Sequence, residues 1–140
     1  MQLGKKFPAG CLLRMIGFIL LAIIGSAWLI FSNDSPINKR SAVRTTVEWA
    51  RLAELPDSKR DLRVEILGSP FTREFRISFR DEPATISAWI KASPGPASVS
   101  PVTDPKGWSV YQYSAGGGAN CSEVRVSPSG QEVIVRTCWS

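Results

Sequence analysis

Residues 121–138 read CSEVRVSPSGQEVIVRTC, and this stretch predicts a β-hairpin together with its register. Two runs in which apolar and polar residues alternate flank the turn-forming segment PSGQ at 128–131. If Ser127 lies opposite Glu132, every residue of one strand has a defined partner on the other. One face of the pair is then apolar and carries four valines, Val124, Val126, Val133 and Val135. Because a shift of one residue would turn these valines away from the core, the pattern favours this register.

The same register brings two further pairs together. Glu123 faces Arg136, which pairs opposite charges, and Cys121 faces Cys138. Cysteines that face each other on neighbouring strands can form a disulfide, which we expect here; the alternative is two reduced thiols. A disulfide that closes a loop of this length stabilises a domain by about 3 kcal/mol in the chain-entropy model. Because disulfides persist in oxidising compartments, this prediction places the domain outside the cytoplasm.

Three more alternating runs predict the rest of a sheet. Two of them, 62–66 and 74–80, are separated by the turn residues GSP at 68–70 and indicate a second hairpin. The third, 108–113, has aromatic residues on both faces. Together with the C-terminal hairpin, these runs predict a mostly antiparallel sheet of about five strands.

One or two helices are expected to pack on this sheet, which makes the fold class α+β. Residues 83–92 start with a proline and follow Asp81 and Glu82, and negative charge is favourable at a helix N-terminus. The apolar stripe of this helix consists of Ile86, Trp89 and Ile90. A juxtamembrane helix is expected to end before Pro56. Residues 93–107 hold four prolines without periodicity, which predicts a long extended surface loop.

The N-terminal part contains an uncharged apolar run, Met15 to Phe31, MIGFILLAIIGSAWLIF. As a helix this run would cover roughly 26 Å, slightly less than a hydrocarbon core of about 30 Å. Arg14 lies at one end, where its side chain can reach the headgroups. We therefore predict a basic flank over 1–14 and a transmembrane signal-anchor helix over 15–31. A linker with the juxtamembrane helix (32–61) and a small domain (62–140) follow.

Two other interpretations of this run stay open. A helix buried in the core is disfavoured because the run has no polar face. A cleavable signal peptide is the stronger alternative, since small residues at 25–27 offer a cleavage site after Ala27. The apolar run continues to Phe31, however, whereas the apolar region of a signal peptide should stop before its cleavage site. An uncleaved anchor is therefore favoured.

The orientation follows from charge and from the cysteines. As a group, Lys5, Lys6 and Arg14 lie closer to the apolar run than the basic residues on its other flank do, because Arg14 adjoins the run. This favours a cytoplasmic N-terminus and an extracytoplasmic domain. The net charge is +5, and these three residues supply three of the five charges, so only about +2 belongs to the remainder. Nucleic acid is therefore not the expected partner.

Motifs for catalysis are not found in the sequence. The chain has no histidine, and its paired acids at 81–82 are explained by the start of a helix. Cys121 and Cys138 lack the Cys-x-x-Cys spacing of thiol oxidoreductases, and the glycine-rich segment 114–119 lacks the Lys-Ser/Thr of a phosphate loop. We expect no enzyme, no cofactor and no metal site. The predicted function is protein interaction or envelope structure, and the alternative is a secreted ligand-binding module.

Four arginines are the candidate contacts to an anionic surface. Arg76 and Arg80 share the polar face of one strand, and Arg125 and Arg136 share that of the C-terminal hairpin. A basic sheet face of this kind could bind an anionic envelope partner or a protein. The alternative is a solvated face whose charge is relieved by Glu74 and Glu123.

Overall fold

The computed structural model describes residues 9–31, 36–69 and 71–140, and the side chains of 14–27, 37–69 and 71–140 among them. The chain divides into two compact units, Met1–Asn38 and Lys39–Ser140.

The first unit contains helix α1, Ala9–Phe31. Its described side chains are exposed up to residue 26, including Phe18 and Leu21, and the Ser26 hydroxyl donates to the Ala22 carbonyl at 2.8 Å. The helical conformation predicted for 15–31 is therefore present. The membrane span itself is not confirmed, because within the described residues no helix has both the length and the apolar character needed to cross a bilayer.

The second unit is an α+β domain whose sheet, within the described residues, has six antiparallel strands in the order β1-β2-β6-β5-β4-β3. Helix α2 is Pro36–Trp49, α3 is Pro83–Ala92 and α4 is Pro94–Ala97. The strands are β1 Arg60–Ser69, β2 Thr72–Arg80, β3 Val102–Thr103, β4 Ser109–Tyr113, β5 Cys121–Val126 and β6 Glu132–Trp139. The α+β class and the antiparallel sheet are confirmed.

The C-terminal hairpin has the predicted register. Cys121 pairs with Cys138 and Glu123 with Arg136, and the four valines lie on one face. The predicted hairpin of β1 and β2 is also present, and it joins the C-terminal hairpin through the β2–β6 ladder. The two hairpins thus form one continuous sheet.

The predicted extended loop over 93–107 is wrong in part. Pro94 starts the short helix α4, where a proline at the first helical position is favourable because its missing N–H would have no helical acceptor. Val102–Thr103 form a short strand along β4. With this strand, the described sheet has six strands, whereas about five strands were predicted.

The core lies between one face of the sheet and helices α2 and α3. Its fully buried side chains include Ile77, Val133 and Val135, and the predicted stripe of α3 covers them. Trp89 of that stripe packs edge-on against Phe79, with ring centroids 5.3 Å apart. Because side chains alternate along each strand, the residues between these core positions project from the opposite face of the sheet.

Candidate functional site

The opposite face of the sheet carries the charged side chains of the long strands. The pairing registers align one row across five strands, and Arg76 and Arg136 are neighbours at its centre. In strand order, this row consists of Glu65, Arg76, Arg136, Glu123 and Gln112. We call this side of the sheet, with Glu74, Arg80, Arg125 and Glu132, the charged face.

Glu74 relieves the repulsion between the two central arginines. Like charges directly opposite on neighbouring strands are destabilising, and Arg76 and Arg136 are such a pair. The Glu74 carboxylate accepts hydrogen bonds from both guanidinium groups, at 3.1 Å from Arg76 Nη2 and 2.9 Å from Arg136 Nη2. The bond from Arg136 is the main cause that holds the pKa of Glu74 below its usual value, and it also raises the pKa of Arg136. Arg76 makes a further ion pair with Glu65 at 3.4 Å.

Arg80 and Arg125 also have carboxylate partners. Arg80 pairs with Glu132 of the neighbouring strand at 3.3 Å. Arg125 is ion-paired with Asp104 and lies over the ring of Trp108, 5.6 Å from the ring centroid.

Asp104 is held in place by the backbone of its own loop. Its carboxylate accepts hydrogen bonds from the backbone N–H groups of Lys106 and Trp108, at 2.8 and 2.9 Å. Desolvation acts to raise the pKa of Asp104, but these two bonds and Arg125 outweigh it, and the pKa is lowered. The Asp104 carboxylate is therefore a charged anchor that positions the Arg125 side chain.

The four arginines predicted as candidate contacts therefore lie on one face, and each has a carboxylate partner. Of the acids named from the sequence, Glu74 is such a partner, whereas Glu123 accepts a hydrogen bond from Gln112 at 2.8 Å. Sequence reasoning missed Asp104, Glu65 and Glu132. A register for the first hairpin, which the sequence analysis did not assign, would have placed Glu65 opposite Arg76. The positions of Asp104 and Glu132 depend on which strands and loops become neighbours.

Among the clefts of the charged face, two lie over different halves of the sheet. One, of about 550 Å³, lies over β3, β4 and β5, and its lining includes Asp104, Arg125, Gln112 and Glu123. The other, of about 210 Å³, lies over β1, β2 and β6, and its lining includes Arg63, Arg80 and Glu132. Both clefts contain charges of both signs.

The predicted disulfide is present and lies on the same face. Cys121 and Cys138 are bonded across β5 and β6, with their Cα atoms 5.1 Å apart. In the neighbouring ladder, Cys138 is paired with Glu74. The covalent link between β5 and β6 therefore lies next to the carboxylate that binds both central arginines.

The acids expected at the start of α3 have structural roles. Asp81 is buried; its carboxylate accepts a hydrogen bond from the Ser58 hydroxyl at 2.7 Å and another from the Glu82 N–H at 2.8 Å. The bond from Ser58 is the main cause that lowers the pKa of Asp81. Glu82 is the N-cap residue, and its side chain pairs with Arg60 at 3.4 Å instead of capping the helix. In the part of the chain that the structure describes, no group of three or more cysteine or acidic side chains is placed to hold a metal ion.

Comparison of the chain with protein-family models, with curated proteins and with solved structures gives no match.

Proposed function

We propose that this chain is a single-pass membrane-anchored protein whose C-terminal domain binds an envelope partner with acidic groups through the charged face, and that it does not act as a catalyst. The observation that carries the proposal is the position of the four arginines. Arg76, Arg80, Arg125 and Arg136 lie together on the side of the sheet opposite the packed core. A rigid sheet holds these guanidinium groups at regular spacings, which suits recognition of several carboxylates or other anions.

The ion pairs on this face leave the arginines able to exchange partners. The side chains of Arg76 and Arg136 are each 44% exposed, and that of Arg80 is 59% exposed. Exposed ion pairs contribute only about 0–1 kcal/mol each, because water solvates the separated charges well. An acidic group on a partner can therefore replace Glu65 or Glu132 at little cost.

The membrane anchor rests on the sequence and on the exposure of α1. Residues 15–31 carry no charge, and the described large apolar side chains of α1 are exposed within their own unit. A bilayer would cover these side chains, and the basic flank over 1–14 suits the cytoplasmic side. The disulfide supports a domain in an oxidising compartment. In this proposal the N-terminus is cytoplasmic and the domain is extracytoplasmic.

Binding is tested by salt elution of the full chain, in neutral detergent, from a sulfated dextran matrix. The variant Arg76→Gln/Arg80→Gln should elute at clearly lower salt than Arg40→Gln/Arg44→Gln, which removes the same charge from α2. Equal elution of the two variants would show that only net charge matters and would refute a binding role for the charged face. All four side chains are exposed, so both variants should keep the thermal midpoint of the parent chain.

Topology is tested by labelling thiols in intact cells with a maleimide that does not cross membranes. Labelling of Cys121 and Cys138 only after reduction, with the protein in the membrane fraction, supports the proposed topology. Labelling that needs permeabilised cells but no reductant contradicts it. The intact mass separates the anchor from the alternative of a secreted module, because cleavage after Ala27 removes α1 up to that residue.

A further inference from the structure

The two edges of the sheet differ in how they are protected. Within the described residues, β3 and β1 are the edge strands. β3 has two residues and lies between Pro101 and Pro105, which limits pairing with another strand. β1 has ten residues and contains neither proline nor lysine. Its outer side presents backbone N–H and C=O groups to which no strand of the described chain is paired, and such an edge is a template for another strand.

The part of this edge that is suited to pairing with another strand runs from Leu62 to Leu67. Asp61 has a left-handed backbone (φ 55°), and the pairing with β2 shifts between Arg60 and Arg63. From Arg63 onward the pairing is regular. The irregular start therefore limits pairing at one end of the strand, and Gly68, with φ 93°, departs from the extended conformation near the other end. The residues between them form the regular part of the edge.

The sequence of this edge is complementary to itself. When two copies of β1 pair antiparallel around Val64, Arg63 of each copy faces Glu65 of the other, and Leu62 faces Ile66. Moving the centre to Arg63 places two arginines opposite each other, and moving it to Glu65 places two glutamates opposite each other. A register centred between two residues would place residues whose N–H and C=O groups point away from β2 opposite residues whose groups point toward β2, so the two strands could not form hydrogen bonds. The register around Val64 is therefore the favoured one.

The side chains around Val64 are suited to this partner. Arg63 makes no ion pair within the described residues, although it lines the smaller cleft of the charged face. Glu65 has an exposed side chain (54%), and its pair with Arg76 leaves room for a second guanidinium. On the other side of the strand, Leu62 is 40% exposed and would be covered by Ile66 of a second copy.

We propose that two copies of this chain pair through β1 in the antiparallel register centred on Val64, so that their sheets form one continuous sheet. The two-fold axis passes midway between the two Val64 residues, perpendicular to the sheet, and the charged faces of both copies lie on the same side. This inference goes beyond the proposed function and does not depend on it, since the edge pairs whatever the charged face binds.

Disulfide trapping tests the register in the full chain, with Cys11→Ser so that Cys121 and Cys138 are the only other cysteines. Residues that face each other across antiparallel strands have Cα atoms about 4.5–5.5 Å apart, so Val64→Cys should give a covalent dimer on mild oxidation. Val102→Cys on the other edge is the control and should stay monomeric. Neither Leu62→Cys nor Ile66→Cys should form a covalent dimer by itself, but the two variants should cross-link to each other when they are mixed. Cross-linking of Val64→Cys no greater than that of Val102→Cys overturns the proposal.

Charge reversal provides a second measurement that does not depend on cysteine chemistry. Arg63→Glu places acids opposite each other twice per dimer and should weaken self-association, measured by sedimentation in detergent, about tenfold. Adding Glu65→Arg should restore most of the affinity. Two results would overturn the proposal. One is a parent chain that is monomeric, and the other is self-association that Arg63→Glu leaves unchanged, as expected for a dimer formed through α1.

Discussion

Gly95 is a position at which a single added methyl group should destabilise the domain. Its N–H donates to the Arg51 carbonyl at 2.8 Å, and the Tyr113 hydroxyl donates to the Ala50 carbonyl, also at 2.8 Å. These two bonds hold the segment after α2 against α4 and β4. A Cβ atom on Gly95 would lie 2.7 Å from Tyr113 Cζ and 2.5 Å from the Ala50 carbonyl oxygen, closer than real Cβ contacts. Gly95→Ala must therefore displace the tyrosine ring or the backbone.

The expected loss of stability follows from these contacts. Overpacking a closely packed site costs about 1–3 kcal/mol. If the ring moves, the hydrogen bond from Tyr113 to Ala50 is also lost, at about 0.5–1.5 kcal/mol. The smaller conformational entropy of the unfolded alanine chain offsets about 0.4–1 kcal/mol. We expect Gly95→Ala to lower the free energy of unfolding by about 2–3 kcal/mol.

Urea unfolding of the full chain, followed by tryptophan fluorescence, measures this loss. Gly116→Ala is the matched control, because its Cβ would lie 3.3 Å from the flexible Arg51 side chain, which can move aside. It should change the free energy of unfolding by less than about 1 kcal/mol. Tyr113→Phe should cost less in the Gly95→Ala background than in the parent chain, because the hydroxyl has already lost its acceptor. A loss in Gly95→Ala no larger than in Gly116→Ala would refute the reasoning.

Three further predictions concern the disulfide and two titrating groups. Replacing Cys121 and Cys138 by serine should lower the free energy of unfolding by about 3 kcal/mol, and reductant should lower the urea midpoint of the parent but not of the variant. Arg136 lowers the pKa of Glu74 in the folded state, so this acid stabilises the fold above its unfolded pKa of 4.5, and the contribution disappears as the pH falls through the lower folded value. Glu74→Gln should therefore flatten the acid limb of a curve of unfolding free energy against pH. An unchanged acid limb would contradict the ion pair. Burial raises the pKa of Tyr113 to about 12, so its absorbance change should occur near that pH and be lost in Tyr113→Phe. As the folded pKa is the higher one, stability from Tyr113 is full below pH 10.0 and falls as the pH rises toward 12, and a tyrosine step confined to pH 10 would disprove its burial.

Strand alternation made much of the charged face predictable. Residues two apart on a strand share a face whatever the rest of the fold does, so Arg76 and Arg80 had to lie together. The C-terminal hairpin was predictable to the residue because a short turn, four valines and a pair of cysteines all favour one register. Each of these inferences depends on residues fewer than twenty positions apart.

Partners that are distant in sequence were not predictable. Arg80 meets Glu132 only because β2 lies beside β6, and Arg125 meets Asp104 only because the segment before β4 folds over β5. The extended loop predicted for 93–107 is wrong in part for a similar reason. Its prolines indicate extended chain locally, whereas contacts to Arg51 and to β4 make part of it a helix and part of it an edge strand.

By itself, the sequence determined the α+β class, both hairpins, the helix over Pro83–Ala92 and the pairing of Cys121 with Cys138, because periodicity and turn residues act through neighbouring positions. Only the tertiary structure decided the strand order, the carboxylate partner of each arginine and the close approach that requires glycine at position 95. These depend on which edges and faces meet when the chain collapses, and many arrangements satisfy the local pattern equally well. Packing and burial then select one of them.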